Sequence, residues 1–174
     1  DIEGLYSNPT VDFNWQHALT IPRELKIKNN KLVQIPIDEI KEIRKTKKEF
    51  EVKSSLVDEG FDTFEIEIDF KNSSDFKLVI KEGVTLEYIK NEKLFNLKFN
   101  EIGFGRDIRS CKLENIENLR IFVDTSSIEI FINNGEEVFT SRFYPTKDKK
   151  GINLEGEDLK VRIYELGSFN IKGE

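Results

Sequence analysis

One histidine, one cysteine and 33 carboxylates are the groups this 174-residue chain could offer to proton transfer, nucleophilic attack or metal binding. The histidine, His17, stands alone. A base or a metal ligand needs partners, so His17 reads as a surface or domain-contact residue. Cys111 follows Ser110 in a segment patterned as strand, where a thiol packs as a small apolar group rather than attacking anything. With no second cysteine there is no intrachain disulfide, which favours a cytoplasmic over a secreted setting. The carboxylates mostly alternate with apolar residues, as Glu65 and Glu67 do, and are expected on wet outer faces. No nucleophile elbow, phosphate-cradling glycine loop or His/Cys cluster occurs. The expectation is therefore a chain with no catalytic residue, no metal ligand and no cofactor.

The net charge is −6, so neither a nucleic acid nor a membrane is expected as partner. A basic stretch, Lys41, Arg44, Lys45, Lys47 and Lys48, is interleaved with Glu39, Glu42 and Glu49 and reads as a solvated face. No apolar run reaches membrane-spanning length. Asn72-Ser73-Ser74 spells a glycosylation acceptor but reads as a polar turn. The chain lacks methionine and starts at Asp1, so it is expected to be a piece of a longer polypeptide.

Positioning falls to strands. Phe64, Ile66, Ile68 and Phe70 alternate with Glu65, Glu67 and Asp69, because successive strand side chains point to opposite faces. Similar runs carry Phe76, Leu78, Ile80; Val84, Leu86, Tyr88; and Phe95, Leu97, Phe99. Leu119, Ile121, Val123; Ile128, Ile130, Ile132; and Leu159, Val161, Ile163 complete the series. Turn-formers separate the runs. Asn134-Gly135 suits a type I′ hairpin joining 128–133 to 138–143. Ile37, Ile40 and Ile43 recur every three residues after Pro36, which predicts a short helix near 37–44 with Asp38 capping its start. The fold class is all-β: about a dozen strands in a sandwich of two antiparallel sheets.

Two stretches carry a family resemblance. Trp15-Gln16-His17-Ala18-Leu19-Thr20-Ile21-Pro22-Arg23-Glu24-Leu25, followed by Leu32-Val33-Gln34-Ile35-Pro36, is similar to the point where family 32 glycoside hydrolases, the β-fructofuranosidases, leave their catalytic propeller. Asp124-Thr125-Ser126-Ser127-Ile128-Glu129-Ile130-Phe131, continuing through Val138 to Pro145, resembles that family's late Asp-x-Ser-x-apolar-Glu-apolar-Phe hairpin. Arg is common there at the position of Thr125. The resemblance covers nearly all of the chain from Trp15 onward. It implies a linker remnant over 1–18 and a C-terminal β-sandwich domain over 19–174, appended to a β-propeller.

The parent so implied hydrolyses β-fructofuranosides such as sucrose, sucrose 6-phosphate or fructans with retention, using one carboxylate as nucleophile and one carboxylic acid as proton donor. Its nucleophile motif, usually preceded by Met, has no counterpart here. Arg106-Asp107 is followed by Ile108 rather than Pro, and Cys111 is preceded by Ser110 rather than Glu. The chain alone is expected to be inactive. It would be an accessory domain that stabilises the propeller and sets oligomeric state, with Trp15, Pro22, Arg23, Phe131, Phe143 and Tyr144 along the junction. Cut from that partner, it is expected to self-associate, with Asp1–Asn14 poorly packed. The alternative is a carbohydrate-binding module, which would need an exposed aromatic platform. In the motifs, Asp124 and Ser126 are expected to cap their turn, Arg23 to pair with Glu24, and Glu129 to be wet or paired with a base.

Overall fold

A computed structural model describes residues 12, 14, 17–99, 108–145 and 149–168. The alternating runs all become strands, fourteen among the described residues. They are β1 (Arg23–Lys28), β2 (Lys31–Pro36), β3 (Arg44–Val52), β4 (Ser55–Asp58), β5 (Phe64–Phe70), β6 (Phe76–Ile80) and β7 (Val84–Ile89). The rest are β8 (Leu94–Phe99), β9 (Ile108–Lys112), β10 (Asn118–Val123), β11 (Ser127–Ile132), β12 (Glu137–Arg142), β13 (Ile152–Gly156) and β14 (Leu159–Leu166). One six-stranded sheet has the order β12-β11-β10-β5-β14-β3, the other β4-β13-β6-β7-β8-β9, and β1-β2 form a separate hairpin. Pairing is antiparallel throughout these ladders.

The core lies where the two inner faces meet. Phe64, Ile66 and Ile68 of β5 are fully buried against Leu78, Leu86 and Leu97 of the facing sheet. Each such side chain gains about 1.5–3 kcal/mol on leaving water. The sheets are also tied at their lateral edges. On one side β3 runs into β4, and Lys48 Nζ donates to Asp58 Oδ1 at 2.9 Å. On the other, Arg109 Nη1 of β9 donates to the Thr140 carbonyl of β12 at 3.1 Å.

Two local expectations are corrected. The short helix expected near 37–44 forms, as a 3₁₀ helix over Asp38–Ile43, but its cap differs. Asp38 does not cap it; Ile37 holds the cap position, and the Asp38 carboxylate accepts a bond from Lys41 instead. A three-residue apolar spacing matches the three-residue turn of a 3₁₀ helix, which packs Ile40 inward.

The 127–142 hairpin forms, but its turn sits one residue early. Asn133 and Asn134 have φ of 49° and 57°, and Gly135 N donates to the Ile132 carbonyl at 3.0 Å. Gly135 follows with φ of 86°. Its role is a close approach: its carbonyl accepts from Gln34 N at 3.0 Å, and a Cβ there would lie 2.0 Å from the Gln34 oxygen. The glycine thus clamps β2 onto the β11–β12 hairpin. Gly135→Ala is expected to destabilise the chain by about 2–4 kcal/mol in urea unfolding. Asn134→Gly, which relieves a left-handed asparagine without that approach, is expected to change stability by less than about 0.5 kcal/mol.

Candidate functional site

The residues singled out in the two sequence motifs meet on the outer face of the β12–β3 sheet. Arg23 opens β1 and reaches across to β11 and β12. Its Nη2 donates to Glu129 Oε2 at 2.5 Å and to Thr140 Oγ1 at 2.7 Å, and Nη1 donates to Gln34 Oε1 at 2.9 Å. The guanidinium also stands 5.1 Å from the Phe131 ring centroid. Glu129 is only 5% exposed, and its second oxygen accepts from Ile21 N at 2.8 Å. Of the two readings open for Glu129, the paired one holds. Arg23 does not pair with Glu24, which bonds Lys26 instead. Glu24 points to the opposite face of β1 from Arg23, so the local pair is geometrically excluded. Asp124 does cap its turn, accepting from Thr125 N at 2.7 Å.

The expectation that Glu65 and Glu67 are wet is overturned. Glu65 is fully buried. Arg44 grips it with two donors, at 2.8 and 2.6 Å, and Arg120 Nε donates at 2.5 Å. Arg44 also reaches Glu67, which accepts from Arg162, and Arg162 continues to Asp69 at 2.8 Å. The physical reason is register. β10 and β14 flank β5 and place Arg120 and Arg162 opposite Glu67, while the Arg44 guanidinium lies 3.8 Å from the Tyr164 ring centroid. Arg44 therefore leaves the solvated basic face to which it was assigned. Burial alone would raise the Glu67 carboxyl, but hydrogen bonds from Arg162 and Arg44 outweigh it and hold it below the usual carboxylate range.

Beside these networks a small second core forms from Ile40, Phe122 and Phe131, with Ile21, Ile43, Val138 and Leu166 against it. A groove of about 460 Å³ opens over it, lined by Leu19, Ile21, Ile40, Ile43, Phe122 and Leu166. A cleft of about 230 Å³ lies nearby, at the β9/β12 edge. The structure brings Arg23 and Phe131 together; Phe131 is 1% exposed and Phe143 is fully buried in the main core. Tyr144 is half-buried beside Arg142, whose Nε donates to its hydroxyl at 3.0 Å. Pro22 and His17 are exposed. Trp15 lies outside the described residues, as does nearly all of 1–16. Cys111 is half-buried rather than buried, and burial pushes its thiol up to about 11, far from nucleophilic. No group of three or more metal-ligating side chains occurs among the described residues.

Comparison with known proteins adds a family. Residues 37–171 match the family described as "Glycosyl hydrolases family 32 C terminal". The chain is 34% identical over 170 residues to the sucrose-6-phosphate hydrolase of Bacillus subtilis, covering 92% of this chain and 36% of that protein. It is 30% identical over 197 residues to a levanase of the same bacterium, covering 96% and 29%. Among solved structures, the sucrose-6-phosphate hydrolase from Lactobacillus gasseri superposes with a TM-score of 0.84 at 22% identity, over 94% of this chain and 36% of that one. The exo-inulinase of Aspergillus awamori gives 0.72 at 24% identity, over 88% and 37%. The chain spans about a third of the length of these relatives.

Two outcomes follow from the ionic network. Glu65→Gln leaves two mostly buried guanidinium groups facing a neutral amide and is expected to cost about 3–5 kcal/mol in urea unfolding. Glu67 binds protons more weakly folded than unfolded, so its contribution is fully present above the unfolded-state value near 4.5 and is lost as pH falls through the lower folded value. Between about pH 6 and about pH 3, unfolding free energy is expected to fall more steeply for the native chain than for Glu67→Gln.

Proposed function

From the premise that the chain belongs to the family 32 glycosyl hydrolase C-terminal domains, we propose that it is the non-catalytic accessory domain of a retaining β-fructofuranosidase. Its relatives carry the names sucrose-6-phosphate hydrolase and levanase, which supports a parent acting on β-fructofuranosides. Such chemistry needs two carboxyl groups about 5 Å apart, one kept protonated by a raised pKa. The buried carboxylates described here serve otherwise. Glu65 and Glu129 are locked into guanidinium pairs, and Glu67 is shifted down, the wrong direction for a proton donor.

The observation that carries the accessory role is an aliphatic stripe on the β1–β2 hairpin. Leu25, Ile27 and Leu32 are 62%, 74% and 53% exposed. Leu25 and Ile27 share one face of β1, and Leu32 lies directly across from Ile27. Exposed contiguous apolar surface is a contact waiting for a partner. We assign that partner as the catalytic propeller of the same parent chain, with Pro22 at the margin of the contact. A sugar platform would instead present aromatic faces. The large exposed apolar side chains among the described residues are all aliphatic, and the Tyr144 and Tyr164 rings are covered by Arg142 and Arg44.

The purified chain is expected to release no hexose from sucrose above a no-protein control and to show no saturable binding of sucrose, inulin or levan in calorimetric titration. In sedimentation across concentration it is expected to self-associate through the stripe, and Leu25→Asp with Ile27→Asp to return it to monomer. A native chain that stays monomeric throughout overturns the contact assignment.

A further inference from the structure

We draw no further inference here: the strongest candidate, the apolar groove over Ile40, Phe122 and Leu166 on the outer face of the β12–β3 sheet, carries nothing because no feature of the structure shows what covers it.

Discussion

A carboxylate with no access to water must be paired, and Glu65 sits at the centre of a six-stranded sheet with none of its surface exposed. Arg44 from β3 and Arg120 from β10 both close on it. Taking three charges out of water is costly, and it is repaid only when geometry is good and every partner is present. The sheet order β10-β5-β14-β3 meets that condition only in one register, because a slip of one residue would turn Arg120 into the core and a core isoleucine into the network. The apolar face alone would accept several neighbouring registers differing by two residues. The ionic face does not, so it makes the sheet specific while the other face makes it stable.

The Arg23–Glu129 pair does for the β1–β2 hairpin what Glu65 does for the sheet. The hairpin shares no ladder with either six-stranded sheet. Its attachment comes from Arg23, from the Gln34–Gly135 backbone bond and from the burial of Val33. Arg23, Leu25 and Ile27 lie on one face of β1 by the period of two. At the base that face is bonded to Glu129 and Gln34; beyond Arg23 it carries exposed aliphatic side chains.

Periodicity made the two-sheet architecture legible. Every run of three or four alternating apolar residues is a strand, and those residues are the main core. What periodicity could not supply is what covers the other face. It places Glu65, Glu67 and Asp69 together on one side of β5 but is silent on whether water or protein lies over them. A signal was present: Arg120 and Arg162 occupy the same outward phase, between Leu119 and Ile121 and between Val161 and Ile163. Outward arginines on two strands beside outward acids on a third are a network when the strands are neighbours, and strand order is a long-range property. The same gap explains Arg23, whose partner lies 106 residues away while Glu24 is adjacent. The hairpin turn was misplaced for a different reason. Asn tolerates positive φ nearly as Gly does, so Asn133-Asn134 and Asn134-Gly135 are both valid turn centres, and the bond from Gly135 N to the Ile132 carbonyl marks the first as the one formed.

Charges and apolar groups are thus exchanged relative to an isolated globular protein: an ionic network is buried, and an aliphatic stripe is left outside. The two are mechanically linked. Leu25 is two residues beyond Arg23 on the same face, so the orientation of the stripe is set by how firmly the guanidinium is held. Four acceptors fix it, three by hydrogen bonds from Arg23 and one by the Phe131 ring, and the bonded side chains come from β2, β11 and β12. A long apolar side chain on a mobile hairpin would lose entropy on docking; one on a hairpin pinned at its base has lost most of it already. The ionic cluster and the stripe therefore act as one device, in which a desolvated ion pair inside the domain presents a rigid apolar surface outside it.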